Sequence, residues 1–195
     1  MKVGIIADVH DNIHNLILIL EKLEESNCEK ILFLGDFAGA AVAFVLRSSK
    51  IPIFGIWGNN DGDKTRITRL SMHPNSNLTM ADDIFDFIEI DNRKIFLTHY
   101  PNLAKPMAKS KEFDAVFYGH NHLKNVEYIG DCLVANPGEI GAQKTGVPSY
   151  GIYDTKTNKI EIIILENGVI LGTDKVREHM KEISFKWSQT KAHKY

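Results

Sequence analysis

Short apolar runs alternate with amphipathic segments over the first 57 residues, and this alternation restricts the fold more than any other feature. Strands are predicted at three apolar runs rich in β-branched residues, 2–7, 30–34 and 51–57. One helix is capped by Asp11 or Asn12 and runs to about Ser26, and a second covers 38–47. This strand–helix order implies parallel strands joined by right-handed crossovers.

Paired strands dominate the second half of the chain instead. Three hairpins are predicted around short polar turns, joining 84–90 to 94–98, 125–129 to 132–135, and 149–154 to 159–165. A helix is predicted over 101–111 and a single strand over 115–118. A parallel half followed by hairpins predicts an α/β protein with α+β character, in which two mixed sheets pack face to face with helices outside.

Polar residues of metal-ligand type follow five of the predicted strands directly. They are Asp8 and His10, Asp36, Asn59 with Asn60 and Asp61, His99, and His120 with His122. The carboxyl ends of strands are where an α/β sheet presents binding groups, and such nitrogen and oxygen donors hold divalent metals. Residues i and i+2 of an extended chain point the same way, so Asp8 with His10 and His120 with His122 are predicted to be chelating pairs.

These residues form five short blocks whose order is more specific than any one of them. The blocks are Asp-x-His at 8–10, Gly-Asp at 35–36, Gly-Asn-x-Asp at 58–61, Thr-His at 98–99 and Gly-His-x-His at 119–122. In a chain of this composition, Gly-His-x-His is expected by chance only about 0.02 times. The ordered set resembles the calcineurin-like metallophosphoesterase superfamily, and the short chain without inserts resembles its small archaeal and bacterial phosphodiesterase branch. This resemblance covers roughly residues 1–166 and implies a four-layer α-β-β-α sandwich.

The resemblance also implies a centre of two divalent metal ions bridged by Asp36. Mn²⁺ is expected first, with Ni²⁺, iron, Zn²⁺ or Mg²⁺ as alternatives. One ion would be held by Asp8, His10, Asp36 and His122, and the other by Asp36, Asn59, His99 and His120. Three further residues are expected to lie behind these ligands and orient them: Asn12, Asn60 and Asp61.

The activity implied by the resemblance is hydrolysis of a P–O bond by a metal-bridging hydroxide. Asp36, Asn59 and His99 are the expected catalytic residues, and Asn59 is expected to clamp the phosphoryl oxygens. The expected substrate is a small phosphodiester or a nucleotide-like molecule.

The sequence departs from the family pattern at two positions. Asn60 stands where many members have a histidine that protonates the leaving group, and an asparagine amide cannot act as that acid. We therefore expect weaker phosphatase activity, a preference for good leaving groups, and diesters over monoesters. Tyr100 follows His99 where the family more often has glycine, and we expect it either to bind substrate at the mouth of the site or to be a half-buried packing residue.

Two features of the sequence help to choose between alternative functions: the net charge and the complete set of candidate ligands. A formal net charge of −2 argues against nucleic-acid binding by bulk charge. A non-catalytic scaffold on the same fold is the main alternative, because the small phosphoesterase-like subunit of the eukaryotic retromer coat is such a protein and fold does not imply function. All seven candidate ligands are present here, which favours an enzyme.

A domain over 1–170 and a tail over 171–195 are predicted. Apolar residues recur every three or four positions in the tail, at Val176, Met180, Ile183 and Trp187, which predicts an amphipathic helix. This helix is expected to dock on the body or on a second copy in a homo-oligomer, and an anionic partner is the alternative. Two cysteines and the lack of a long apolar run predict a reduced, cytoplasmic protein without a signal peptide or a membrane span.

Overall fold

Two β-sheets lie face to face, with helices on their outer sides, in the computed structural model of the chain, which describes residues 1–171. In chain order the strands are β1 (Lys2–Ile6), β2 (Lys30–Phe33), β3 (Ile53–Gly55), β4 (Leu78–Met80), β5 (Phe85–Ile90), β6 (Arg93–Thr98), β7 (Ala115–Tyr118), β8 (Asn125–Ile129), β9 (Cys132–Asn136), β10 (Ser149–Asp154) and β11 (Lys159–Ile164). The helices are α1 (Ile13–Glu25), α2 (Ala40–Arg47), α3 (Lys64–Ser71) and α4 (Pro101–Lys109).

Both sheets mix parallel and antiparallel pairing, as predicted. The first has the order β11-β10-β1-β2-β3-β4, in which β1 to β4 are parallel and β10 is antiparallel to both of its neighbours. The second has the order β5-β6-β7-β9-β8, in which β6, β7 and β9 are parallel and the two outer strands are antiparallel to their neighbours. The parallel strands of each sheet therefore end at one common edge.

Three apolar clusters separate the layers. One packs α1 and α2 against the first sheet, one fills the space between the sheets, and one packs α4 against the second sheet. Side chains alternate along β1, so this strand contributes to two of the clusters. Ile6 belongs to the outer cluster, whereas Val3 and Ile5 face the second sheet. The predicted four-layer α-β-β-α sandwich is confirmed.

The predicted helices and hairpins are present, with small shifts at their ends. Asn12 caps α1, because its side chain accepts a hydrogen bond from the Asn15 backbone amide at 3.2 Å. Asp91 and Asn92 join β5 to β6 with φ values of 50° and 60°, as the type I′ turn of a two-residue hairpin requires. Helix α2 begins at Ala40 instead of 38, since Ala38 has a φ of 66° and forms a bridge with Asp61.

Sequence patterns do not predict α3 or β4. Ile67 is the buried residue of α3, so this helix lacks the apolar stripe by which a helix is recognised. Strand β4 is only three residues long and lies at the edge of its sheet. Both elements depend on tertiary packing.

The predicted tail helix and the homo-oligomer through it lie outside the described residues, so both stay predictions, as does the domain boundary at 170. No helix within residues 1–171 is both long enough and apolar enough to cross a bilayer. Cys28 and Cys132 are buried free thiols.

Candidate metal centre

The seven candidate ligands come together where the parallel strands of both sheets end. They lie just beyond β1, β2, β3, β6 and β7. Backbone bonds between these loops hold them together, since Asp8 N donates to Gly35 O at 3.1 Å and Gly119 N donates to His99 O at 3.2 Å. The predicted convergence of the polar clusters is therefore present in the structure.

Five of the seven candidate ligands adopt a left-handed backbone conformation. Their φ values lie between 46° and 72° at Asp8, His10, Asp36, His120 and His122. Non-glycine residues rarely adopt this conformation, and it costs on the order of 1–3 kcal/mol each where the surroundings impose it. The chain in these loops is thus not extended, and the argument from i and i+2 spacing does not apply to it.

His120 and His122 do not form the chelating pair that their spacing predicted. His120 Nδ1 lies 2.7 Å from Asn59 Oδ1, whereas His122 Nε2 lies 3.2 Å from His10 Nε2. The left-handed turns at both histidines direct them to opposite sides of the centre. Asp8 and His10 do lie on one side, with His10 Nε2 at 3.9 Å from Asp8 Oδ1.

The first group of donor atoms is buried. It contains Asp8, His10, Asp36 and His122, whose candidate ligand atoms all lie within 4.8 Å of one another. Two imidazole nitrogens 3.2 Å apart beside two carboxylates form an arrangement that a divalent cation would stabilise.

A second group lies on the other side of Asp36 and is more open to solvent. His99 Nε2 lies 2.9 Å from Asn59 Oδ1 and 3.3 Å from His120 Nδ1. His99 Nδ1 donates to the carbonyl of Leu34 at 2.7 Å, which leaves Nε2 as the free acceptor of the neutral ring. Asn59 is exposed and His120 is partly exposed, so this side opens toward a cleft.

Asp36 stands between the two groups and presents one carboxylate oxygen to each. Its Oδ2 lies 3.3 Å from His10 Nε2, and its Oδ1 lies 3.4 Å from His99 Nε2. Asn60 fixes the carboxylate by donating its backbone N–H to Oδ1 at 2.8 Å and its side-chain Nδ2 to Oδ2 at 3.1 Å. A Cβ atom at Gly58 would overlap Asp36 Oδ1, so only glycine fits there.

The charges of the centre are arranged for a cation. Burial, and then the negative charge of Asp36, raises the pKa of Asp8 to about 8. Burial lowers the pKa of His10, His99 and His120, which favours the neutral imidazoles that bind metals. A divalent cation would relieve the repulsion between the two aspartates and bind the ring nitrogens.

Glu139, for which the sequence pattern predicts no role, lies behind the first group. Its carboxylate is fully buried and accepts a hydrogen bond from His122 Nδ1 at 2.6 Å. Burial opposes ionisation, but the bonds from His122, Thr145 and Lys144 outweigh it and lower the pKa of Glu139 to about 2. A carboxylate bonded to the distal nitrogen of a ligating histidine fixes the ring and its tautomer.

Replacing Glu139 with glutamine should weaken metal binding about 10- to 100-fold, because outer carboxylates of this kind have effects of that size. The glutamine amide cannot accept all the N–H groups that converge on Glu139, so His122 loses its orientation. Competition with a metal-sensitive dye measures the affinity. Thr145→Val is the matched control, since Thr145 Oγ1 also bonds Glu139, at 2.7 Å, without touching His122. Equal affinities in wild type and Glu139→Gln would contradict this role.

The three residues expected to orient ligands have different surroundings. Asn60 bonds Asp36 directly, as described above. Asp61 accepts hydrogen bonds from the backbone amides of Phe37, at 2.6 Å, and Gly58, so it braces the loops that carry Asp36 and Asn59. Asn12 differs from the expectation: its described hydrogen bonds join it to Gly141, Val169 and Asn15, because it caps α1.

Asp11 and Tyr100 lie at the rim of the centre. Asp11 accepts a hydrogen bond from Gly39 N at 2.9 Å, so it holds the residue that precedes α2 and does not cap its own helix. Tyr100 is partly buried, and its ring packs edge-on against His99 and His120, with centroid distances of 5.2 and 4.8 Å. These ring contacts are those of the predicted packing residue, and substrate binding by Tyr100 stays a prediction.

An open cleft of about 690 Å³ leads to the two groups. Its walls include residues of both, together with loops that follow β2, β3 and β9; among these wall residues are Asp11, Asn60, Gln143 and Lys144. The loop from Gly138 to Val147 contributes Gln143 and Lys144 to one wall.

Comparison with known proteins now identifies the family. Residues 1–158 match the model of the calcineurin-like phosphoesterase superfamily domain. The chain belongs to this superfamily. Phosphodiesterase MJ0936 of Methanocaldococcus jannaschii is 34% identical over 168 residues, which make up 85% of this chain and all of that protein. The predicted resemblance to the small phosphodiesterase branch of the superfamily is confirmed.

Solved structures agree with this placement. An archaeal phosphodiesterase has a TM-score of 0.75 and 32% identity, covering 85% of this chain and all of its own. Vps29 of Entamoeba histolytica, solved in complex with Zn²⁺, has a TM-score of 0.59 and 20% identity, covering 87% of this chain and 95% of its own. At that identity, the Vps29 likeness concerns the fold alone.

Proposed function

We propose that the chain is a metal-dependent phosphodiesterase with two divalent ions at the site built around Asp36. The observation that carries this proposal is the position of Asp36, whose two oxygens face two separate sets of nitrogen and oxygen donors. The relatives named phosphodiesterase support the same activity.

The residues present fit a pair of divalent ions by their chemistry. Two buried aspartates face each other with no Lys or Arg in ion-pair contact among the described residues. Asp8, His10, Asp36 and His122 would hold one ion, and Asp36, Asn59, His99 and His120 the other. Mixed nitrogen and oxygen donors suit Mn²⁺, Ni²⁺, iron and Zn²⁺ alike. We propose Mn²⁺ as the native ion, and metal analysis of the purified protein tests this choice.

The residues of the chain prepare the site for a phosphate ester. Divalent ions at such a site make a nucleophile available from water near neutral pH and neutralise charge on the phosphoryl oxygens. Asp36, held by Asn60, keeps the two sets of donors at a fixed separation. His99 and His122 are held by Leu34 O and Glu139, so their Nε2 atoms remain free acceptors.

Substrate is expected to bind in the open cleft at the second group. The Oδ1 atom of Asn59 faces His99 and His120, which leaves the Nδ2 atom free to donate to a phosphoryl oxygen. Tyr100 beside these histidines would border the substrate. A small phosphodiester or nucleotide-like molecule suits this cleft. We propose that the protein is located in the cytoplasm.

Metal removal is the direct test of this function. Hydrolysis of bis(p-nitrophenyl) phosphate should disappear when the protein is dialysed against EDTA and return when Mn²⁺ is added. The variant His120→Ala removes one candidate ligand from the second group only, and it should lower hydrolysis while the fold is retained. Activity that survives both treatments would contradict the proposal.

A scaffold without activity is the alternative, because the chain shares its fold with Vps29 and a fold does not by itself imply catalysis. The two functions differ in one measurable respect. A scaffold can bind Zn²⁺ or Mn²⁺ without hydrolysing any ester. Metal uptake together with no turnover on aryl phosphodiesters or aryl phosphates would therefore support the scaffold.

A further inference from the structure

We propose that Lys144 is a substrate-binding residue whose ammonium group contacts the anionic phosphoryl oxygens over the metal centre. This inference deepens the proposed function and rests on it. No resemblance assigned Lys144 a role, and it stands outside the five sequence blocks.

Glu139 fixes the backbone of the loop that carries Lys144. The carboxylate accepts hydrogen bonds from the backbone amides of three consecutive residues: Gln143 at 3.0 Å, Lys144 at 3.1 Å and Thr145 at 2.6 Å. The same carboxylate holds His122. The loop is therefore positioned relative to the metal centre by one buried group, although its own side chains are exposed.

The ammonium group of Lys144 points along the mouth of the cleft. Its Nζ donates to the carbonyl of His120 at 3.4 Å, and the residue lines the cleft together with His10, His122 and Asn59. Within residues 1–171, Lys144 forms no salt bridge with an aspartate or glutamate. Its charge is available to an anion in the cleft.

The ammonium lies close to both groups of candidate ligands. It donates to the carbonyl of His120, a residue of the second group, and Lys144 lines the cleft beside His10 and His122 of the first group. The charge thus lies close to the place where metal ions would bind.

A cation at that place disfavours metal binding unless an anion lies between them. Like charges repel, so a lysine without an acidic partner beside two divalent ions weakens their affinity. A bound phosphate reverses the sign of this effect, because its oxygens attract the metals on one side and the ammonium on the other. This accounts for a lysine that has no acidic partner among the described residues and stands on a loop held in place by Glu139.

Lys64 offers a matched control. It is also an exposed lysine near the centre, but it begins α3 and its Nζ lies 5.2 Å from the Trp57 ring centroid, outside the cleft wall. Lys64→Met removes the same charge as Lys144→Met without removing a group from the mouth. Any difference in phosphate affinity between the two variants reports the position of the lost lysine charge, because the net charge changes equally in both.

The test is titration of Mn²⁺-loaded protein with inorganic phosphate in a calorimeter. Lys144→Met should bind phosphate about 10- to 100-fold more weakly than wild type, the range expected for a hydrogen bond to a charged group. Lys64→Met should bind within about 2-fold of wild type, and Lys144→Arg should recover part of the affinity. Manganese content should not fall in Lys144→Met, since a repelling charge has been removed.

Two results would overturn the assignment: unchanged phosphate affinity in Lys144→Met, or equal weakening in both methionine variants. Hydrolysis of bis(p-nitrophenyl) phosphate by wild type is measured in parallel. Wild-type hydrolysis with unchanged phosphate binding in Lys144→Met overturns the role of Lys144 alone. A wild-type protein that takes up no metal and hydrolyses nothing overturns the proposed function as well.

Discussion

The variant Asp36→Asn should bind metal at neither group and hydrolyse no phosphodiester, while keeping its fold. One oxygen of the carboxylate faces His10 and the other faces His99, so a single substitution damages both sets of donors. An asparagine offers one neutral oxygen and one N–H₂ group, and the latter cannot bind a cation. No other candidate ligand is shared in this way, so no other single replacement should have so large an effect.

Metal content of the purified variant and its rate on bis(p-nitrophenyl) phosphate measure this result. Asp11→Asn is the matched control, because Asp11 lines the same cleft and caps Gly39, and an asparagine oxygen can still accept that hydrogen bond. Circular dichroism shows whether each variant is folded. An Asp36→Asn protein that retains both metal ions, or an Asp11→Asn protein that loses them, would contradict the bridging role.

The architecture could be predicted because strands and polar residues follow one another in a regular order. The apolar run 2–7 contains a strand that is buried from Val3 onward, the run 115–118 is a fully buried strand, and ligand-type residues follow both runs closely. The parallel strands of a sheet end at one edge. The meeting of these residues can therefore be predicted without knowing any side-chain contact. Helix α3 was not predicted, because packing rather than an apolar stripe stabilises it.

The direction of each ligand could not be predicted from spacing. His120 and His122 are two residues apart, yet they serve opposite sides of Asp36 because both have positive φ. Such a conformation is imposed by the surrounding loops and has no local signal in the sequence. The family resemblance assigns the two histidines to different ions, and that assignment stays a prediction; the structure places their side chains on opposite sides of Asp36.

The burial of Glu139 could have been predicted from the composition of the segment around it. It is the sole charged residue between 132 and 143, in a segment that is otherwise apolar, small or amide-bearing. A single carboxylate in such a run predicts burial and hence a hydrogen-bonding partner. The sequence does not predict which groups donate hydrogen bonds to Glu139. One donor, His122, precedes Glu139 in the chain, and another, Thr145, follows it.

The variant Asn60→His should raise turnover on diesters with poor leaving groups by about 10²- to 10⁴-fold, the usual contribution of a general acid. Asn60 is exposed at the cleft and adjoins Asp36, so a histidine there reaches toward a leaving oxygen. An exposed histidine titrates near pH 6.5, and only its protonated form donates. The gain should therefore be largest below that pH and fall as the pH rises through it.

Comparing alkyl and p-nitrophenyl diesters separates this effect from a general change in the site. A p-nitrophenolate leaves without protonation, so its rate should change little, whereas the rate for an alkyl leaving group should increase. Asn60→Ala is the control, because it removes the Asn60 side-chain bond to Asp36 without adding an acid. If Asn60→His and Asn60→Ala behave alike on alkyl diesters, the chain does not lack an acid at this position. The rate of both variants would then be limited by Asp36, because each variant has lost the side-chain hydrogen bond from residue 60 to its carboxylate.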